Sequence, residues 1–326
     1  MKATSIAPSN IAFIKYWGKK DAKLRLPYNS SFSMNLSDAY TTTTVDFSPE
    51  YKSDEIYFKR EKMEDKEAQR VIKHLDRLRN LAKMKLFAKV ATQNSFPKGA
   101  GIASSASGFA ALTIAASSAL NLKLSQKDLS ILARIGSGSA CRSIPDGFVE
   151  WKKGYDTNTS YAYSLFPENY WDIRDVIVIV SSERKKVSTT KGHENAESSL
   201  FFKTRISHIT QRISLLKSAL QNKDFNTFGE LIEKEAIEMH TIMMTQTPPL
   251  YYWNNVTMNI IHKVLQWREE DIPIFFTIDA GPNVHLICEG KNEKKVSQKI
   301  REITGIERII VNKPAKGAAL TNNHLF

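Results

Sequence analysis

The 326-residue sequence predicts an α+β fold in two lobes, and three observations carry that expectation. The first third is rich in strand patterns with one amphipathic helix among them. The chain then changes character near residue 182 into three long helical patterns, and strands return after residue 271. With 42% hydrophobic and 25% charged residues the chain is long enough to bury a core, either as one large domain or as two fused lobes. The change of character divides it into lobes 1–182 and 183–326.

Residues 11–16 and 41–47 alternate as strands do, and 55–59 and 86–92 are further strand candidates. Residues 64–84 place Ala68, Val71, Ile72, Leu75, Leu78 and Ala82 at helical spacing with Arg and Lys between them, which predicts an amphipathic helix. A Gly/Ser loop leads into 104–120, small and apolar enough for a buried helix, and then into 125–135. Residues 176–182 read as a fully buried strand. Helical patterns follow at 195–221, 225–243 and 254–270. Strands at 272–278, 284–288 and 308–312 close the pattern, with a helix between the last two. There is no internal repeat, low-complexity tract or Gly/Ser linker.

The formal charge of +12 favours anionic partners but does not choose among nucleic acid, membrane surface and phosphorylated metabolites. The lysines are spread without a basic run of five, so a solvated lysine-rich surface accounts for most of the charge. The longest apolar runs, 176–180 and 272–276, are far below the roughly 20 residues of a membrane helix. Residues 1–6 show no secretory h-region, and a cytoplasmic location is expected. Two cysteines, Cys141 and Cys288, make neither a disulfide scaffold nor a cysteine-rich zinc cluster and are expected as buried thiols.

Four segments carry candidate chemistry. The loop Gly99, Ala100, Gly101, Ile102, Ala103, Ser104, Ser105, Ala106, Ser107, Gly108 opens a helix with glycines and serines. Its free N–H groups and helix dipole suit a nucleotide phosphate, and packing alone is the other reading. It fits neither a dinucleotide fingerprint nor a Walker loop. A second loop, Gly136, Ser137, Gly138, Ser139, Ala140, Cys141, ends in Arg142, which either grips a carboxylate or phosphate bidentately or lies exposed beside a turn. Lys15 falls among apolar neighbours in the first strand, where an ammonium is costly unless it faces an anion or turns to solvent. Asp279 ends an apolar strand just before a Gly-Pro turn, placed either for chemistry or as a turn cap.

Taken together, these segments resemble the diphosphomevalonate decarboxylases of the GHMP kinase superfamily. The resemblance runs through residues 10–19, 26–31 (Leu-Pro-Tyr-Asn-Ser-Ser), 96–112, 136–151, 187–192, Pro248-Pro249 with Tyr252, and 278–283. Typical GHMP kinases carry Gly-Leu-Gly-Ser-Ser-Ala in the phosphate loop, whereas residues 100–106 read as the decarboxylase version.

The resemblance implies a ribosomal-S5-domain-2-like N-terminal lobe, a ferredoxin-like helical C-terminal lobe, and an active site in the cleft between them. It implies ATP-dependent decarboxylation of mevalonate 5-diphosphate to isopentenyl diphosphate through phosphorylation of the 3-hydroxyl. Decarboxylation of the 5-phosphate and a mevalonate 3-kinase are the neighbouring alternatives, and an RNA-binding use of an S5-like lobe is the alternative from another class. Asp279, Lys15 and Arg142 match the family's catalytic trio. Asn10, Tyr16, Trp17, Gly18, Lys19, Arg70, Ser137, Gly138, Ser139, Ala140, Cys141, Ser188, Thr189 and Thr190 would line the substrate site. Gly99, Ala100, Gly101, Ser104, Ser105 and Ser107 would hold ATP with Mg2+, for which no protein ligands are assigned. A homodimer acting on a small molecule, with no nucleic acid or membrane partner, is expected. Two places depart from the family pattern: Pro145-Asp146-Gly147 replaces a more usual aromatic-Gly-Gly, and residues 314–326 have no evident counterpart.

Overall fold

The computed structural model describes residues 1–63, 66–96, 104–181, 183 and 192–326. The chain opens with β1 (Lys2–Ile14), the short ribbon β2 (Lys19–Asp21) and β3 (Leu26–Pro27), and the 18-residue β4 (Ser31–Ser48). Then come β5 (Glu55–Phe58), β6 (Glu61–Lys62), α1 (Lys66–Ala82), β7 (Phe87–Asn94), α2 (Ser104–Ala119) and α3 (Gln126–Gly136). A 3-10 turn over Gly138–Ser143 leads to β8 (Phe148–Trp151), β9 (Ala162–Phe166) and β10 (Ile173–Ile179).

The rest is α4 (Phe202–Asn222), α5 (Phe225–Thr245), α6 (Asn255–Glu269), β11 (Phe275–Thr277), β12 (Val284–Glu289), α7 (Glu293–Arg301), β13 (Arg308–Asn312) and β14 (Ala319–Thr321). The α+β expectation holds. The helix expected from residue 195 begins at 202, after a 3-10 turn over His193–Ser198.

The larger sheet has the order β14-β1-β4-β7-β5-β6, and β8 and β9 extend it from the first half of β4. Strand β4 reaches both ways because residues 41–48 pair with β7 while 31–34 pair with β8. Both β1 and β4 are far longer than their alternating cores suggested. Ser5, Ser9, Asn10, Ser33 and Asn35 sit buried within them, where polar residues read from sequence as interruptions. The second sheet, β11-β12-β10-β13, is antiparallel throughout.

Three apolar clusters hold these layers together. Ala3, Val45, Phe47, Ile56 and Val90 of the first sheet pack on Leu75, Leu78, Ala111 and Ala115 of α1 and α2. Val176, Val178, Phe276 and Leu286 of the second sheet pack on Ile260, Val264, Trp267, Val296 and Ile300 of α6 and α7. The third cluster joins the lobes: Ile11, Phe13, Phe32 and Met34 meet Ile177, Ile179, Ile209, Leu216, Phe228 and Ile232, with Phe13 and Phe228 edge to face at 4.9 Å.

The two departures noted in the sequence meet each other. Gly317 N–H donates to Asp146 Oδ1 at 2.6 Å, Gly147 N–H donates to Ala315 O at 2.9 Å, and β14 then pairs with β1. Residues 314–326 are therefore an edge of the first sheet, anchored on the 145–147 turn. Among the described residues no helix is long and apolar enough to cross a membrane.

Candidate active site

The site begins where β1 ends. Register shifts between Pro8 and Asn10 and between Ala12 and Ile14 mark bulges, devices that re-aim side chains. Lys15 lies one residue past the strand rather than within it, and its side chain is only 1% exposed. Its Nζ lies 2.7 Å from Asp279 Oδ1. Asp279 comes from the loop between β11 and β12, where His240 Nε2–H of α5 donates to its carbonyl at 3.1 Å.

Burial lowers the Lys15 pKa, with Asp279 and Glu235 opposing it. Burial pushes the Asp279 carboxyl up, yet the ammonium of Lys15, with His285 and Arg142, outweighs it and leaves Asp279 below its ordinary value. The two side chains are in ion-pair contact at 2.7 Å, and Asp279, with 26% of its side chain exposed against 1% for Lys15, is the more open half.

Arg142 ends the 3-10 turn after α3 and is buried. Its Nη2 and Nε donate to Asn10 Oδ1 at 3.1 and 3.3 Å, and Nη1 donates to Ser31 Oγ at 2.7 Å. Asn10 is held in turn through Ser143 Oγ at 2.8 Å and Ser139 O at 3.3 Å. Burial lowers the Arg142 pKa, and the fields of Cys141, Asp279 and Tyr16 oppose that fall. Lys15, Asp279 and Arg142, separated by more than a hundred residues in sequence, thus act on one another electrostatically in one place.

Beside this trio lies a cationic wall. Lys19 faces Glu194 at 3.9 Å, Arg70 of α1 sits 5.0 Å over the Phe109 ring, and Arg25 Nε donates to Ile135 O at 2.9 Å. Burial lowers Arg25, Arg70 and Lys19 alike, and the charges of Arg25 and Arg70 depress Lys19 further. Like charges crowded in a partly dry site repel one another and favour a multiply charged anion.

Tyr16 stands against this wall, its ring 4.4 Å from His193 and 4.7 Å from Trp151. Its hydroxyl is buried without a hydrogen-bond partner among the described residues. Gly138 has to be glycine, since a Cβ there would meet the Tyr16 ring at 2.6 Å. Gly18 adopts a φ of +94° and donates its N–H to His193 Nδ1 at 3.0 Å.

Some expected residues turn away from the cleft. Trp17 is core, with its Nε1–H on Gln246 Oε1 at 3.2 Å. Ala140 and Cys141 are buried, the thiol pushed up to about 12 by burial. Ser107, expected among the phosphate-binding serines, bonds Thr41 Oγ1 at 2.6 Å and faces the sheet. Ser104 and Ser105 do line a cavity of about 140 Å³ with Ile56, Phe58, Arg70 and Phe109, and Ser137 Oγ reaches Ser105 Oγ at 3.1 Å, linking the two small-residue loops. Gly99, Ala100, Gly101, Ser188, Thr189 and Thr190 lie outside the described residues.

Residues 7–162 match the family model of the diphosphomevalonate decarboxylase-like N-terminal domain, and residues 175–322 match that of the mevalonate 5-diphosphate decarboxylase C-terminal domain. The diphosphomevalonate decarboxylase of Debaryomyces hansenii is 36% identical over 314 residues, covering 90% of this chain and 81% of that protein. The chain belongs to the diphosphomevalonate decarboxylase family. Its fold matches the crystal structure of mevalonate diphosphate decarboxylase from Staphylococcus aureus with a TM-score of 0.94, at 38% identity over 98% of both chains. A structure of MDDEF in complex with MVAPP, AMPPCP and magnesium matches with a TM-score of 0.93, at 37% identity over 99% of both chains. The two-lobed GHMP-kinase-type architecture expected from the resemblance is thereby established.

Within this decarboxylase-family site, sequence reasoning missed Arg25, His193 and His240. Arg25 sits in the turn between β2 and β3 at a φ of +53°, where no local motif marks it. His193 directly follows residues 187–192 and His240 lies inside the helix expected at 225–243, with no local pattern to mark either; burial lowers both, His240 to about 3, so both are neutral scaffolds for Gly18 and Asp279. Among the described residues there is no group of three or more His, Cys, Asp or Glu able to hold a metal ion.

Proposed function

We infer that Lys15, Asp279 and Arg142 carry the reaction of the family: ATP-dependent decarboxylation of mevalonate 5-diphosphate, through phosphorylation of the 3-hydroxyl, to isopentenyl diphosphate, carbon dioxide, ADP and phosphate. The observation that supports this assignment is the 2.7 Å Lys15–Asp279 contact, with its carboxylate partly exposed and Arg142 alongside. The helix start at Ser104 and Ser105, which borders the cavity, suits the phosphates of a nucleoside triphosphate, since anions lie favourably at a helix N-terminus. Mg2+, when bound with the nucleotide, would neutralise part of the phosphate charge.

Phosphoryl transfer asks for placement and electrostatics more than covalent help. Asp279 orients the tertiary hydroxyl and takes its proton, while Lys15 keeps the carboxylate ionised and steadies the oxygen. Asp279 then returns the proton to the 3-phosphate, which leaves as hydrogen phosphate far more readily than hydroxide would, and the regenerated carboxylate stabilises the positive charge that develops at C3 in a water-poor site. Arg142, already fixed by Asn10 and Ser31, holds the C1 carboxylate so that its bond to C2 is aligned to break.

The 5-diphosphate does not react, so its contacts supply anchoring and selectivity. Lys19, Arg25, Arg70 and the Tyr16 hydroxyl would hold it, and this concentration of charge favours a diphosphate over the 5-phosphate alternative. Asn10, Ser137, Gly138 and Ser139 complete the proposed site. The same reading takes the working enzyme as a cytoplasmic homodimer, on the strength of the family resemblance. For the lobes, sheet membership supports a change between β9 and β10, somewhat before residue 182, with the C-terminal strand returning to the first lobe.

Asp279→Asn removes the base while preserving shape. Its turnover is expected to fall by at least about 100-fold with substrate affinity nearly unchanged. Near-normal product formation by a folded Asp279→Asn protein would remove Asp279 from this role.

A further inference from the structure

We propose that the buried Arg205–Glu235 pair is a positioning device for Lys15: α4 and α5 grip its main chain and so set its ammonium against Asp279. This rests on the catalytic reading of Lys15 and goes one layer behind it.

Because Lys15 has left the β1 ladder, its buried peptide groups need partners elsewhere. Its N–H donates to Glu235 Oε1 at 2.9 Å, and its C=O accepts from Arg205 Nη2 at 3.0 Å and Asn29 Nδ2 at 3.1 Å. Arg205 Nη2 also bonds Glu235 Oε1, and Nη1 fixes Asn29 Oδ1 at 3.1 Å, closing a ring of side chains around the main chain of one residue. Both ion-pair side chains are fully buried, and Arg212 Nη1 reaches Glu235 Oε2 at 2.7 Å.

A buried ion pair of this kind is weak evidence for stability, since well-packed apolar residues often serve as well. Its polarity is accounted for by what it holds. Helix α5 also carries His240, which bonds the Asp279 carbonyl, so one rigid element indexes both halves of the Lys15–Asp279 pair. The groups acting on Lys15 are Asp279, Glu235 and Arg142, with His240 nearby and Arg205 on its carbonyl. Of these, Glu235 supports the protonated ammonium across the lobe contact without touching the cleft.

The experiment compares Glu235→Gln, Arg205→Lys and Lys15→Met in the full chain with ATP, Mg2+ and mevalonate 5-diphosphate. Glu235→Gln keeps an acceptor for the Lys15 N–H but loses the charge. It is expected to lower kcat by up to about 100-fold with both KM values little changed. The alkaline limb of its kcat profile should also move to lower pH, because the ammonium loses a supporting anion. In single turnover, adding Glu235→Gln to Lys15→Met should cost nothing further. A folded Glu235→Gln protein with normal kcat and an unmoved limb overturns the proposal, as does an undiminished effect in the Lys15→Met background. Should Glu235→Gln fail to fold, Arg205→Lys decides, since it keeps the ion pair and loses the fork: reduced kcat at constant KM supports the clamp, and wild-type kcat overturns it. A Lys15→Met protein with wild-type kcat, rather than a small residual rate, would instead sink the catalytic reading beneath it.

Discussion

The chemistry rests on a few buried charges whose partners are what make their burial tolerable. Lys15 and Asp279 neutralise each other, whereas Lys19, Arg25 and Arg70 leave an excess of positive charge for a ligand to neutralise. Arg25→Ala is therefore expected to raise the KM for the diphosphate by roughly 10-fold or more, the worth of one charge-assisted contact, with kcat nearly unchanged. Steady-state kinetics with an unaltered KM would take Arg25 out of the site. Each member of the trio sat in a setting that sequence alone left open (a lysine among apolar residues, an arginine closing a small-residue loop, an aspartate at a strand end), and it was the family resemblance that grouped them. Arg25 was not legible, since a turn arginine looks like surface until the fold folds it back towards α1 and α3. Trp17, Cys141 and Ser107 show the converse. They stand in the right segments, but Trp17 lies in the loop after β1, Cys141 on the 3-10 turn and Ser107 on the sheet-facing side of α2, and all three are buried.

At the level of elements, helical spacing located α1 within a few residues because it presents one apolar face, whereas α2 and β10, buried on nearly all sides, were located by their runs of small or apolar residues. Periodicity failed for β8 and β14, short strands whose pairing is decided by distant partners on β4 and β1, and for β9, which pairs only with β8. It also shortened β1, where the polar residues that broke the pattern belong to the site. The aromatic contact between β1 and α5 is what presses the two lobes together around Lys15. Phe228→Ala should cost about 3–5 kcal/mol of stability by leaving a cavity beneath Phe13. Urea unfolding monitored by circular dichroism would show it as a lower midpoint, and a loss under about 1 kcal/mol would mean the lobes do not depend on that contact.

Across the whole molecule, the two lobes share one core and one site, with Lys15 and Arg142 supplied by the first and Asp279 by the second. Buried neutral histidines tie this assembly to pH. His74 and His240 are both lowered by burial to about 3 from 6.5. Above pH 6.5 both imidazoles are neutral whether folded or unfolded, and they contribute no pH dependence. As pH falls below 6.5 the unfolded chain binds protons that the folded chain refuses, so stability declines, by about 2 kcal/mol per histidine at pH 5. Urea midpoints at pH 7.5 and 5.0 should differ accordingly, and His74→Gln should narrow the difference; coincident midpoints would contradict the assignment.

The reaction as a whole is tested most directly by incubating the protein with ATP and Mg2+ and, in turn, mevalonate, its 5-phosphate and its 5-diphosphate, measuring ADP and carbon dioxide separately. With the diphosphate the two products should appear in equal amounts, and far faster than with either shorter substrate. ADP without carbon dioxide, or a preference for the 5-phosphate, would contradict the account.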